Sequence, residues 1–377
     1  MATLPFPELE TPSALVDVER MAANLDRMAA YAASRGLALR PHTKTHKTPE
    51  LAGEQLRRGA VGVTVATLHE AEVMAGAADD ILVAYPPVGA WRLERLLALP
   101  EHVRVTVGLD SAEALDALSA AAAAAGRTIG VLVEADLGMH RVGVTDPAAT
   151  VALARRAAEA AGVAYRGIMF YPGHIRQRTG EQGPVLARLA ADLRLHLDAL
   201  REAGLEPEVV SGGSTPAGYH SHDVAGLTEI RPGTYIFNDR TTAVVDACAW
   251  DECAYSVLAT VVSTAVPGQA VVDAGAKALA REEIRGADAP GYGALLDRPE
   301  VTVKTVSEEH GVLDLSATDW RPRIGDRVRI VPNHVCVSVN LHDRLWAVGG
   351  DEVVGSWRIA ARGWRSDAEA VLDAGGR

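Results

Sequence analysis

From residue 37 to residue 233, short apolar and β-branched runs alternate with alanine-rich stretches whose apolar positions recur about every 3.6 residues. The runs fall at 37–41, 61–66, 81–84, 103–108, 129–135, 167–171, 208–211 and 228–231. The stretches between them carry helix punctuation. SAEALDALSAAAAAAG (111–126), for example, opens on the N-cap Ser111 and closes on Gly126. Eight strands alternating with helices over about 200 residues predict a (β/α)8 TIM barrel, with a doubly wound sheet as the competing arrangement. Beyond residue 245 strand follows strand without long helices (YSVLATVVSTAV, QAVVDAG, VTVKTVS, DRVRIVPNH, EVVGSWRIAARG), which predicts a separate C-terminal, mainly β domain. The expected division is an N-terminal arm at 1–14 packing on the β domain, a barrel at 15–245 and the β domain at 246–377. Pro5, Pro7 and Pro12 mark the arm as extended.

A barrel carries its chemistry at the C-terminal ends of its strands, so the residues after each run are the ones to inspect. They are PHTK (41–44), EADLGMHRVGV with His140 and Arg141, YPGH with Tyr171 and His174, SGGSTP (211–216), and RPGTYIFND. SGGSTP reads as a phosphate cradle, since its glycines admit close backbone approach and its N–H and hydroxyl groups donate to an anion; a plain tight turn is the alternative. Without the GxxxxGK[ST] form, a nucleoside triphosphate is disfavoured. The chain has four lysines (Lys44, Lys47, Lys277, Lys304) among 37 basic residues. Arginine serves elsewhere, so RPHTKTHK suggests a task closed to guanidinium, such as imine formation, unless it is a solvated basic loop. Cradle, imine lysine and an arginine able to hold a phenolate point jointly to pyridoxal 5′-phosphate (PLP).

In PNHVCVSVN, His334 and Cys336 stand at i, i+2 in what reads as an extended segment, a workable ligand pair for Zn²⁺; a buried cysteine beside a core histidine is the alternative. His220 and His222 repeat that spacing in a polar loop and read as solvated, and Cys248 and Cys253 read as structural. A formal charge of −12 without long basic runs argues against nucleic acid or anionic membranes and for a small-molecule partner. The N-terminus lacks the pattern of a secretory signal, no apolar run is long enough to span a bilayer, and three cysteines fit a reducing compartment. The expected location is the cytoplasm.

In this order, RPHTKTHK, GMHRVGV, YPGH, SGGSTP, RPGTYIF and PNHVC resemble the D-serine dehydratase/D-threonine aldolase family of fold-type III, alanine racemase-like PLP enzymes, over about residues 10–365. The resemblance implies Lys44 as the imine lysine and Arg141 beside the phenolic oxygen. It also implies Tyr171 near the pyridine ring, Gly212, Gly213, Ser214 and Thr215 as the phosphate loop, and Tyr235 among the cofactor contacts. His334 and Cys336 would hold zinc or another divalent metal. A homodimer acting on a D-amino acid is the expected assembly. HVC resembles the zinc-dependent D-serine dehydratases, whereas D-threonine aldolases show HxD. The expected reaction is therefore elimination from a D-β-hydroxy amino acid to a keto acid and ammonia. Aldol cleavage to glycine and an aldehyde is the alternative; racemisation and a non-catalytic PLP carrier stand behind it.

Overall fold

A computed structural model describes residues 6–284 and 289–363. Each of the eight sequence runs contains part or all of a parallel strand: Ala38–Leu39, Val63–Val65, Asp80–Val83, Arg104–Leu109, Ile129–Glu134, Val163–Met169, Val209–Gly212 and Glu229–Ile230. Neighbours in sequence are neighbours in space, and Glu229–Ile230 returns to pair with Ala38–Leu39. The ring closes between the first two strands through a parallel bridge from His42 to Thr64, with the Thr64 N–H donating to the Pro41 carbonyl at 2.8 Å. Closure settles the choice between barrel and doubly wound sheet, because an open sheet would leave both outer strands unpaired. Val163–Met169 begins four residues before the apolar run at 167–171, and the pairing register shifts beside Gly167, whose φ is +137°.

The local signals explain the helices. Ser111 Oγ accepts from the Ala114 N–H at the start of Ala112–Ala124, and Gly126 follows with φ +66°. Among the described residues, no helix is long and apolar enough to cross a membrane.

A second, nine-stranded sheet is built mostly from residues after 254, including Tyr255–Ser263, Arg298–Val306, Arg327–Pro332 and Arg344–Gly349. One of its strands comes from the other end of the chain. Ser13–Asp17 lies antiparallel to Tyr255–Ser263 and parallel to Arg344–Gly349, with Phe6 and Leu9 buried against Leu15, Leu258 and Val348. The N-terminal segment is thus a sheet member whose apolar residues complete the second domain's core, and residues 15–17 belong to that sheet rather than to the barrel. The strands Gly293–Leu295 and Gly311–Asp314 are additions to the sequence reading.

His334 and Cys336 do not share an extended segment. Val335–Leu341 is a helix with His334 as its extended N-cap residue (φ −139°, ψ 103°) and Cys336 in its first turn. The Val335 N–H donates to buried Asp239 at 3.1 Å, which fixes where this helix begins.

Candidate active site

The stretch RPHTKTHK divides its two lysines between different tasks. Thr43–Thr45 forms a single 3₁₀ turn, capped by His42 Nδ1, which accepts the Lys44 N–H, and anchored by Thr43 Oγ1 donating to the Thr64 carbonyl at 3.1 Å. This turn aims Lys44 into a cavity of about 540 Å³ at the C-terminal end of the barrel, within the range that holds a small-molecule cofactor. Lys47, with φ +55°, turns the other way and pairs with Glu70 at 2.9 Å, Glu70 being 1% exposed. Lys277 is paired on the surface with Glu308 and Glu309.

Tyr171 stands in the cavity with Lys44 Nζ 5.7 Å and the Arg141 guanidinium 5.0 Å from its ring centre, both within reach of its π face. YPGH keeps a glycine here for space: a Cβ on Gly173 would lie 2.2 Å from the Tyr171 ring. Gly213, at φ +88°, turns the chain so that Ser214 and Thr215 line the cavity. Ser214 Oγ is buried without a hydrogen-bond partner among the described residues, as expected of a hydroxyl reserved for a ligand. Thr215 Oγ1 accepts the Tyr235 N–H at 3.2 Å.

Two expected contacts stand outside the cavity. Gly212 ends its strand against Phe170, where a Cβ would lie 2.3 Å from the ring, so the position has no room for a side chain. Tyr235 is buried, and its hydroxyl accepts from Gln55 Nε2 at 3.1 Å. Only its backbone serves the loop.

The cavity also holds three residues that stand inside the quoted motifs without having been singled out there: His42, Glu134 and Arg231. Burial, reinforced by the charges of Lys44 and Arg231, holds the His42 imidazole well below its usual range, hence neutral. Burial raises the Glu134 carboxyl, against the opposing pull of Arg231 and Arg141. Arg231 is fixed from below. Its guanidinium donates to Ser211 Oγ (2.6 Å) and the Phe170 carbonyl (2.8 Å); Ser211 donates to Glu229 (2.5 Å), Glu229 accepts from Arg40 (2.8 Å), and Arg40 donates to Asp80 (2.7 Å). This chain crosses the barrel from its N-terminal floor to the cavity. Only the alternation of apolar runs with strand-initial charges could have hinted at it.

The second domain contributes His334 and Cys336 to the same cavity. Cys336 Sγ lies 3.2 Å from Thr45 Oγ1, next to Lys44 in sequence. Burial alone would raise the thiol, but His334, Lys44 and Thr45 bring it below its usual value. Burial likewise opposes charge on His334, yet Cys336, Glu282 and Asp239 push the imidazole well above its ordinary value. Each of the two groups therefore favours the charged form of the other, and Glu282 is hydrogen-bonded to His334 Nδ1. Among the described residues there is no group of three or more His, Cys, Asp or Glu side chains placed to hold a metal. Were a metal held here, these two groups would be its protein donors among the described residues, leaving other coordination positions to water or substrate. His220 and His222 lie elsewhere, with His222 held by Tyr31 at 2.9 Å.

An amine, an aromatic platform, a fixed guanidinium and an anion cradle with an unpartnered hydroxyl fit PLP, and the molecule is a PLP-dependent enzyme of the alanine racemase barrel type. Residues 16–241 match the family model "Alanine racemase, N-terminal domain", and residues 254–348 match "Putative serine dehydratase domain". The chain belongs to this family. It is 35% identical to the D-threonine aldolase of Arthrobacter sp., over 96% of this chain and 94% of that one. The crystal structure of the D-threonine aldolase of Filomicrobium marinum superposes with a TM-score of 0.87 at 35% identity, covering 95% of this chain and 97% of that one. The D-threo-3-hydroxyaspartate dehydratase of Delftia sp. gives 0.87 at 32% identity, covering 96% and 100%. A D-threo-3-hydroxyaspartate dehydratase variant with a cysteine replaced by alanine has been solved in a metal-free form.

Proposed function

We propose that the protein cleaves the Cα–Cβ bond of a D-β-hydroxy amino acid, giving glycine and an aldehyde, with PLP on Lys44 and a divalent metal such as zinc on His334 and Cys336. The observation that carries this reading is the single cavity in which the barrel's Lys44 faces a histidine–cysteine pair from the second domain. PLP, when bound, supplies the electron sink for the bond that breaks. Gly213, Ser214 and Thr215 would hold its phosphate, Tyr171 would pack along the ring, and Arg141 would meet its phenolic oxygen. Arg231, pinned by Ser211 and Glu229, places a fixed positive charge under the ring region. Lys44 Nζ is the group able to return a proton to Cα after cleavage. His334 and Cys336 mark where the β-hydroxyl sits; a divalent ion there would polarise that oxygen. Cleavage balances when the hydroxyl proton leaves, the Cα–Cβ electrons pass to Cα, and Cα is reprotonated.

The HVC motif alone puts dehydration first. The strongest similarities given above, at 35% identity, are to aldolases, and they support the reverse order. Dehydration to a keto acid and ammonia remains the second reading because Cys336 occupies the pair, and a dehydratase among the relatives has a metal-free cysteine variant. Incubating protein, PLP and zinc with D- and L-threonine and D- and L-serine, and scoring glycine plus aldehyde against keto acid plus ammonia, decides between them. Keto acid as the main product would overturn the aldolase assignment, and preference for L substrates would overturn the assignment of a D substrate.

A further inference from the structure

His334 and Cys336 belong to the second domain, whereas the lysine they face is fixed by the barrel, so the geometry of the site depends on how the two domains are joined at this point. The join is made by residues 239–241, which follow the last barrel strand, and residues 333–335, which bracket His334. On one side of His334, the Asn333 carbonyl accepts Thr241 Oγ1 at 2.6 Å and the Thr241 N–H at 3.3 Å, and Asn333 Oδ1 accepts Arg240 Nη1 at 3.0 Å. On the other side, the Val335 N–H donates to Asp239 Oδ2 at 3.1 Å. His334 is thus tied to the barrel through both of its chain neighbours. Asp239 and Asn333 are each 2% exposed, so these groups cannot exchange their partners for bulk water.

Asp239 is the unusual member of this join, because its two carboxylate oxygens serve two helices from two domains. Oδ1 accepts the Thr242 N–H at 2.9 Å and closes the capping box of Arg240–Val244, while Oδ2 satisfies a free N–H at the start of Val335–Leu341. His334 occupies the N-cap position of that second helix, yet its side chain makes no capping bond. The imidazole is left to the cavity, and the barrel supplies the cap in its place. Asparagine caps a single helix as well as aspartate does, but it has one acceptor oxygen and could serve only one of the two. The position of the helix in turn places Cys336, in its first turn, 3.2 Å from Thr45 Oγ1 and 3.7 Å from Thr234 Oγ1 of the barrel.

We infer that Asp239 is a positioning residue of the active site: by capping the second domain's helix in place of His334, it frees the imidazole for the cavity and fixes His334 and Cys336 against Lys44. The chemical role of the pair rests on the reading given under Proposed function.

Asp239→Asn is the diagnostic variant. Its one amide oxygen stays with the capping box of its own helix, and its NH2 then faces the Val335 N–H. In the PLP-loaded protein without metal, hydrogen exchange should quicken roughly five-fold over residues 334–341, as for a helix that has lost a cap, and stay unchanged over 42–48. Zinc affinity, read by competition with a chromogenic chelator, should fall about 10- to 100-fold, while the absorption of lysine-linked PLP is unmoved. With D-threonine, kcat at saturating zinc should remain below that of the parent. Thr241→Val, which removes only the hydroxyl bond to the Asn333 carbonyl, should lower zinc affinity by less, and Thr241→Ser should restore it. Asp146→Ala removes the cap of Pro147–Glu159, which carries no residue of the site, and should lower the unfolding temperature without changing zinc affinity. Parental zinc affinity and kcat in Asp239→Asn, whatever stability it loses, would overturn the positioning role, as would an equal loss of zinc affinity in Asp146→Ala. Failure of the underlying reading looks different: the parent itself would take up no zinc and consume no D-threonine, and the exchange measurement would still decide whether Asp239 holds the helix.

Discussion

The two ends of the barrel are both charged, but they treat charge in opposite ways. At the floor, Arg104 and Arg40 flank Asp80, Arg40 also holds Glu229, and Ser211 closes the chain. Every member has a partner. At the mouth, Lys44 and Arg141 share only the face of Tyr171, and Ser214 Oγ has no partner among the described residues. Satisfied buried charge is the mark of architecture, since removing one partner strands the other. Polar groups left open on a rigid frame are the mark of a site built for a ligand.

The sharpest break in this comparison lies within one motif. Lys44→Ala should abolish the visible absorption of lysine-linked PLP and lower turnover on the order of 10³-fold, with little change in the unfolding temperature of the cofactor-free protein. Lys47→Ala should do the reverse, leaving the Glu70 carboxylate buried and unpaired at a cost of about 3–5 kcal/mol in chemical denaturation. Borohydride trapping followed by peptide mapping separates the two; label on Lys47 would refute the assignment.

Glu229→Gln addresses the chain that joins the two ends. It removes the charge on which Arg40 and, through Ser211, Arg231 depend, and should destabilise by about 3 kcal/mol in urea unfolding. If Glu229 also sets the position of Arg231, the absorption of bound PLP should titrate at a different pH in the variant. Lost stability with an unmoved spectrum would confine Glu229 to architecture.

Much of this was legible in the sequence, and the limits have physical causes. Eight apolar runs revealed eight strands because parallel strands buried on both faces must be continuously apolar. Lys44 stood out because lysine is rare here. The arm's packing on the second domain was expected from its prolines, but that Ser13–Asp17 enters the sheet as a strand was not, since its partners lie more than 200 residues away and sheet order is not a local property. The helix after His334 was hidden by VCVSV, a β-branched alternation that reads as a strand but folds as a helix once Asp239 accepts the Val335 N–H. Arg231 escaped notice because its importance comes from Ser211 and Glu229, residues of two other strand positions that meet only in the closed barrel.

A smaller effect is expected from His46, which lies beside the site but belongs with the satisfied groups. Burial lowers its pKa to about 4, while Gln55 and the Thr48 N–H occupy its two ring nitrogens. The unfolded chain takes up a proton near 6.5 that the folded chain refuses until about pH 4. Stability is therefore unaffected above pH 6.5 and falls through the window from 6.5 to 4, by about 3 kcal/mol at 1.4 kcal/mol per pH unit. Urea midpoints at pH 7.5 and 5.0 should draw together in His46→Asn relative to the parent protein. An unchanged separation would show that another group carries the acid sensitivity.

The least change in energy, and the most direct reading of the comparison, should come from Ser214→Ala. In a satisfied network, deleting a buried hydroxyl strands its partner and costs about 1–3 kcal/mol. Ser214 Oγ has no protein partner to strand, so the cofactor-free variant should be as stable as the parent or slightly more so. With PLP present the sign should change if, as proposed, the hydroxyl donates to the phosphate. Its loss should weaken PLP binding by about 1–1.5 kcal/mol, roughly ten-fold in dissociation constant. Measuring thermal unfolding with and without PLP, together with fluorescence-detected cofactor binding, yields both signs from one variant. A variant that is less stable without PLP, yet binds it as tightly as the parent, would move Ser214 from the group of ligand contacts to that of the barrel's architecture.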